Sequence, residues 1–379
     1  MPATPFMHPS PHPLRLALGL FALALTAAHG PAQTRVAPPA PGESAPAFAE
    51  ILKIDVHSHI FEDIPELNAM FRRSNVRTIN VCNRGADGHL ETMHRIALEL
   101  YRAHPDLFPF TSTFDLTRRD QPGYAGEAIA WLDRTFKNGA VAVKIWKEVG
   151  IDLRRPDGAF LLPDDPIFDP IYAHLARRGK PLHAHLAEPI DAWLPLNPKS
   201  VHYGYYSSNP EWHLYGKPSY PSHATIIAAR DHILEKHPQL VLVGAHLGSL
   251  EHDLDGIAQR LDRHPNFHIE CAARTRNLTR HPSEKVRAFF LKYQDRIMYG
   301  VDMSWKPYLG GQPTAALRQA YVRRLEERYR SDYAFYAGTG EIKYDGRAVQ
   351  ALGLPRRVLE KFYSGNTRRV FKLDAVAPP

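Results

Sequence analysis

From Ile51 onward, short runs rich in apolar and β-branched residues alternate with amphipathic stretches carrying Glu, Arg, Lys and Ala. The runs are ILKIDVHSH (51–59), VRTINVCN (76–83), LFPFTSTF (107–114), GAVAVKIW (139–146), KPLHAHL (180–186), QLVLVGAH (239–246), NFHIECAA (266–273) and RIMYGVD (296–302). Their length and composition predict strands. Helical periodicity fills the gaps, most clearly at 88–104, 122–137, 166–179, 222–237, 249–264 and 282–294. Strand–helix alternation predicts an α/β protein with a parallel sheet. Eight units predict closure into a (β/α)8 TIM-type barrel, with an open doubly wound sheet as the alternative. No Gly-x-Gly-x-x-Gly follows a run. Gly338-Thr339-Gly340 comes nearest, with Lys343 in place of the third glycine. That weighs against dinucleotide binding.

Two segments exceed simple barrel loops. The first, 188–222 after the fifth strand, holds Trp193, Tyr203, Tyr205, Tyr206, Trp212, Tyr215 and Tyr220. Long loops after barrel strands carry function more often than not, so it reads as a lid or pocket wall. The alternative is an excursion packed on a neighbouring subunit. The second runs from Met303 to the end, with a charged helix at about 313–331 and the closing segment VLEKFYSGNTRRVFKL. It forms a C-terminal helical extension. VRRLEERYR (322–330) is mixed in sign and reads as a solvated face.

The N-terminus has a different pattern. Leu16 to Ala28 reads LALGLFALALTAA, thirteen apolar or small residues after Arg15. A bilayer span needs about 20. The reading is a signal peptide over 1–32, cut after Ala28 or Ala32, with a buried helix as the alternative. A Pro/Ala-rich flexible lead-in follows over 33–48, and the barrel over 49–375. The expectation is a periplasmic or secreted protein with no stable membrane insertion after cleavage. With 44% hydrophobic and 23% charged residues, wholesale disorder, fibrous repeats and multi-span membrane folds are excluded. A net charge of +7 over 379 residues argues against nucleic acid as a partner. Two cysteines, Cys82 and Cys271, rule out a disulfide scaffold.

The candidate chemistry gathers at the C-terminal ends of the runs, where barrel active sites lie. Residues two apart on a strand share a face. His57 and His59 end the first strand with that spacing, and Asp55 has the same parity. His183 and His185 repeat it on the fifth strand. His246 ends the sixth on the face of Gly244, leaving Val241, Val243 and Ala245 toward the helices. Asp302 ends the eighth on the face of Gly300 and Met298. Lys144, between Val143 and Ile145, points inward. A single buried histidine is usually an ordinary core residue, but a core would not bury this many ionisable groups without a compensating charge. A divalent metal, Zn²⁺ foremost and as one or two ions, suits imidazole nitrogen and carboxylate oxygen.

The segments IDVHSHI, AVAVKIWKEVG, PLHAHLAEP, LVGAHLGSLEHDL, MYGVDMSW and FYSGNTRRVF, in this order, resemble the amidohydrolase superfamily. More narrowly, they resemble its amidohydrolase-2 group, which includes aminocarboxymuconate-semialdehyde decarboxylase-like proteins. The likeness covers about 51–373. It implies metal binding by His57, His59, His185 and Asp302, with His246 as general base or electrostatic partner above the metal-bound water. Two-metal members use a carbamylated lysine on the fourth strand together with histidines of strands five and six, the places of Lys144, His185 and His246. Lys144 is thus a carbamate carrier, a partner for a substrate carboxylate, or a structural ion pair. Arg274 is a candidate grip for a substrate carboxylate, with Glu270 facing the same cavity; a salt bridge, mutual or nearby, is the other reading of both. Trp146 and Trp305 form either an aromatic wall or ordinary rim packing.

The expected activity is metal-dependent hydrolysis of an amide, ester or lactone bond in a small substrate. Non-oxidative decarboxylation is the close rival, and a non-catalytic metal- or ligand-binding barrel the reading from another class. A homodimer or higher oligomer is expected. His-Glu-x-x-His, Gly-x-Ser-x-Gly and Walker patterns are absent.

Overall fold

The computed structural model describes residues 46–375 except Arg84, Ala86, Asp87, Gly311 and Gln312. The segment expected to be a signal peptide and most of the expected lead-in lie outside the described residues. Eight parallel strands occur at the eight expected places: β1 Lys53–Ile60, β2 Val76–Val81, β3 Phe110–Thr111, β4 Val143–Ile145, β5 Leu182–Ala184, β6 Leu242–Gly244, β7 Phe267–Glu270 and β8 Ile297–Met298. They form two arcs, β3-β2-β1 and β4-β5-β6-β7-β8. Backbone hydrogen bonds cross both seams. Val141 N donates to Phe110 O (2.9 Å) and Lys144 N to Ser112 O (2.7 Å) at one. Val56 N donates to Tyr299 O (3.0 Å) and Asp302 N to His57 O (2.8 Å) at the other. Neighbouring strands are thus bonded in sequence order all round, as in a TIM-type barrel.

A helix follows every strand: α1 Pro65–Arg73, α2 Leu90–Ala103, α3 Tyr124–Lys137, α4 Asp169–Arg178, α5 His223–Lys236, α6 Leu254–Arg263, α7 Ser283–Lys292 and α8 Ala315–Ala337. Helix α1 is missing from the sequence reading. It is only nine residues long, opens on Pro65 and turns Leu67, Met70 and Phe71 inward. Proline at the first helical position is favourable because its missing N–H would be unpaired there anyway. Helix α8 outruns its expected end at 331 by six residues, because Asp332, Tyr333, Phe335 and Tyr336 are buried against the barrel.

Ile54, Val56, Ile79, Val81, Val141, Ala142, Val243 and Met298 form a buried core joined by Val370 and Phe371 of the closing segment. This cluster corrects two parity arguments. On β1 the pairing slips: Asp55 faces Thr78, but Ser58 faces Asn80, three residues against two. The extra residue is a β-bulge. It brings His57 onto the side of Ile54 and Val56, and Asp55 points instead toward Tyr329 of α8. On β6, Val243 belongs to the interior and Gly244 does not. A Cβ on Gly244 would lie 2.9 Å from the Phe267 ring. His246 reaches the interior by another route, described below.

Several shorter elements were not expected. A short strand, β9 Met303–Trp305, pairs in parallel with Ser58–Ile60 at the mouth. An antiparallel hairpin, β10 Glu341–Tyr344 and β11 Arg347–Gln350, turns through Asp345 and Gly346, both at positive φ. Asp-Gly is a favoured pair for such a turn. The 188–222 segment carries one short α-helix, Tyr203–Ser208. Cys82 and Cys271 are buried and unbridged. Among the described residues, no helix is long and apolar enough to cross a membrane.

Candidate metal centre

The chain leaves four strands through left-handed backbone. Ala187, His246, Ala273 and Asp302 follow β5, β6, β7 and β8 with φ of 64°, 58°, 56° and 58°. After β6 the conformation continues through Leu247, Gly248 and Ser249. Non-glycine residues held there cost about 1 kcal/mol or more each, and such strain concentrates at functional sites. This reversal, not strand alternation, brings the His246 ring into the barrel mouth.

Four imidazoles and one carboxylate meet there. His59 Nε2 lies 3.4 Å and His57 Nε2 3.7 Å from Asp302 Oδ1. His246 Nε2 lies 3.7 Å from Asp302 Oδ2. The His185 and His246 rings stand edge to face at 4.2 Å. Three of the rings are oriented through their other nitrogen. His59 Nδ1 donates to Val81 O (2.7 Å), His246 Nδ1 to Ala272 O (2.8 Å) and His57 Nδ1 to Glu270 Oε1 (2.7 Å). These bonds assign the tautomers and leave a lone pair on each Nε2. Those of His59 and His246 then face Asp302 oxygens, acceptor against acceptor, while that of His57 also has Lys144 Nζ at 3.2 Å. The Nε2 atoms of His185 and His246 are buried with no hydrogen-bond partner among the described residues. A cation resolves both conflicts, so this donor set fits a divalent metal.

The electrostatics agree. Burial drives the imidazoles of His185 and His246 well below the usual histidine range and that of His59 down to about 3, so all three are neutral bases at pH 7. Burial alone would raise the Asp302 carboxyl, but its surroundings, His57 foremost, hold it below the usual carboxylate range. Glu270 is likewise held well below its usual range, burial being overcome by His57 and His183.

Lys144 lies beside His57 in this group. Its Nζ is 3.2 Å from His57 Nε2, and it is absent from the cavity lining. Burial lowers its ammonium to about 7. The structure therefore brings Lys144 close to the centre without exposing it to substrate. Glu270 sits at the same depth and was given too little weight in the sequence reading. It accepts from His57 Nδ1, from His183 Nε2 (3.3 Å) and from the Ala272 amide. It does not pair with Arg274, whose Nε instead lies 3.6 Å from Glu251 Oε2. The signal in sequence was its inward parity on β7, one strand from His246.

The centre opens into a cavity of about 500 Å³. Trp146, Arg274, Lys306 and, from the 188–222 segment, Glu188, His202 and Tyr205 line it. Lys147 ties that segment down: it is ion-paired with Glu188, donates to Tyr205 Oη (2.8 Å) and sits 4.0 Å above the Trp212 ring. The segment is thus a pocket wall. Trp305 is not part of it; its Nε1 donates to Glu62 (2.6 Å) and its ring packs on Tyr321.

Residues 54–373 match the family described as amidohydrolase. None of the curated proteins matches the chain. Among solved structures, 2,6-dihydroxybenzoate decarboxylase from Rhizobium aligns with 17% identity and a TM-score of 0.52, over 86% of this chain and 100% of that one. A 2,6-dihydroxybenzoate decarboxylase complexed with 2,6-dihydroxybenzoate aligns with 18% identity and a TM-score of 0.51, over 86% and 99%. A 5-carboxyvanillate decarboxylase from Sphingomonas paucimobilis has 14% identity and a TM-score of 0.47, over 85% and 99%. At these identities the likeness to the 2,6-dihydroxybenzoate decarboxylases is one of fold.

Proposed function

The chain belongs to the amidohydrolase family, and on that premise we propose a single-metal enzyme that cleaves a bond at a carboxyl or carbonyl carbon of a small carboxylated substrate. Non-oxidative decarboxylation is the reading we favour. The observation that carries the single-metal reading is the convergence of the His57, His59 and His246 Nε2 atoms on one carboxylate, Asp302, with Lys144 buried beside His57 and outside the cavity lining. A carbamate bridge between two ions draws no support from that arrangement. The fold shared with the 2,6-dihydroxybenzoate decarboxylases adds analogy only.

In this reading His57, His59, His185 and Asp302 hold the ion. When bound, it supplies a Lewis acid that polarises a carboxylate or carbonyl oxygen. The other roles belong to the chain. Trp146 and Tyr205 flank the substrate, and Arg274 orients a second acidic group by a forked hydrogen bond. The 188–222 wall restricts water. His246, anchored through Nδ1, presents an unprotonated Nε2 that can take a proton from solvent and pass it to the carbon vacated by CO₂.

Hydrolysis of an amide, ester or lactone is the second reading. One observation favours it: Asp302 is 27% exposed toward the cavity and can take a proton from water. Labelled solvent separates the two. Decarboxylation in D₂O places deuterium on the vacated carbon and takes no oxygen from H₂¹⁸O. Hydrolysis places ¹⁸O in the product, and that result would reject the favoured reading. Export to the periplasm or beyond is proposed from the 16–28 segment, and the N-terminal sequence of the mature protein tests it.

A further inference from the structure

Asp55 is fully buried on β1, two residues before His57, yet it does not join the ring of donors around Asp302. Its carboxylate accepts four hydrogen bonds. Oδ1 receives the backbone amides of His57 (3.0 Å) and Val301 (3.1 Å). Oδ2 receives Ser58 Oγ (2.6 Å) and Tyr329 Oη (2.8 Å). The two amides belong to a candidate ligand and to the neighbour of another, Asp302, on opposite sides of the β8–β1 seam. The bulge at 55–58 takes the His57 amide out of the strand ladder, and the carboxylate stands in for the missing acceptor. Asp302, in left-handed backbone, is held only a residue further on, by its own amide on His57 O.

We propose that Asp55 is the positioning residue of the centre, and that Tyr329 couples α8 to it. One oxygen fixes the His57 backbone against the Val301–Asp302 backbone, so it sets the separation of the His57 and Asp302 side chains. The other oxygen is fixed in turn by Ser58 and by a hydroxyl from the C-terminal helix. Divalent-metal affinity then depends on how α8 docks, although no hydrogen bond or ion pair joins α8 to the donor set among the described residues. This inference rests on the single-metal reading above.

The same helix supplies a control. Tyr321 is as buried as Tyr329 and also lies near Asp55, but its hydroxyl has no hydrogen-bond partner among the described residues, so the two differ in the bond to Asp55. The test compares wild type with Asp55→Ala, Asp55→Asn, Tyr329→Phe and Tyr321→Phe. Zn²⁺ is titrated into each metal-free protein by calorimetry, and each metal-free variant is crystallised. Asp55→Ala should weaken Zn²⁺ binding by about 10- to 100-fold, as removal of an orienting partner does. It should also lengthen the 3.7 Å His57–Asp302 approach by about 1 Å. Asp55→Asn keeps an acceptor for both amides and should restore most of the affinity. Tyr329→Phe should cost at least about threefold and Tyr321→Phe nothing. If Asp55→Ala fails to fold, the two tyrosine variants decide. Lowered thermal stability with unchanged affinity and unchanged His57–Asp302 geometry would overturn the proposal, and so would equal behaviour of the two tyrosine variants. A wild type that binds no Zn²⁺ would reject the metal reading instead, and the metal-free crystal structures would still decide whether Asp55 positions His57.

Discussion

Nδ1 of His246 lies 2.8 Å from the carbonyl oxygen of Ala272, so the ring is pinned from the turn after β7 while its Nε2 faces Asp302. The pin separates two roles that a histidine can combine. A ring held this way can move a proton without being essential to hold an ion that three other side chains and Asp302 surround. His246→Asn should therefore lower kcat by at least about 100-fold, the range for loss of a positioned acid or base. Bound metal per chain, measured by elemental analysis, should stay at the wild-type level. Loss of metal together with activity would make His246 a ligand instead.

Glu270 makes the opposite prediction. Its oxygen receives His57 Nδ1 at 2.7 Å, and His183 shares it at 3.3 Å. A carboxylate in that position fixes the tautomer and strengthens the ring as a ligand. Glu270→Gln should weaken divalent-metal affinity by about 10- to 100-fold while leaving activity at saturating metal within a few-fold of wild type. Calorimetric titration and activity against metal concentration check the two halves. Equal affinity in the variant would reduce Glu270 to a core ion pair.

The strand ends were legible because barrel strands are short, apolar and spaced by helices. Imidazoles at the end of β1, β5 and β6 and a carboxylate after β8 stand out against such runs. The depth and facing of these groups were less legible. Parity counting fails wherever the backbone leaves the regular pleat, and it does so twice here. The β1 bulge turns Asp55 toward Tyr329. The left-handed run at 246–249 turns His246 inward although Gly244 faces outward. A bulge is one extra residue against a partner strand, so it cannot be read from one strand alone. Helix α1 was missed for a simpler reason: nine residues give too few turns for a periodic signal.

Arg274 was expected to meet a substrate, and it lines the cavity while lying 3.6 Å from the buried Glu251. Removing the guanidinium alone strands that carboxylate, and breaking a buried pair costs about 3–5 kcal/mol. Arg274→Met should thus be strongly destabilised for reasons unrelated to substrate. Arg274→Met combined with Glu251→Gln should recover much of the stability. In that background the role in binding becomes measurable: KM for a carboxylated substrate should rise by about tenfold or more, with a smaller change in kcat. An unchanged KM would assign the pair to structure alone.

His94 provides a test of stability away from the centre. It is buried on α2, its Nε2 is 3.1 Å from Ser112 Oγ, and burial lowers its imidazole from 6.5 to about 4. In the unfolded chain it titrates near 6.5, so between 6.5 and 4 the unfolded state binds the proton and the folded state does not. Its contribution is therefore complete above about pH 6.5, declines as pH falls through that window, and is gone below about pH 4. A lowering from 6.5 to about 4 corresponds to about 3 kcal/mol. Other buried histidines add their own acid sensitivity, so the comparison is with His94→Gln, which cannot titrate. The stability of wild type minus that of the variant, from urea melts, should fall by about 3 kcal/mol between pH 7 and pH 4. A constant difference across that range would mean that His94 takes up its proton in the folded protein as easily as in the unfolded chain.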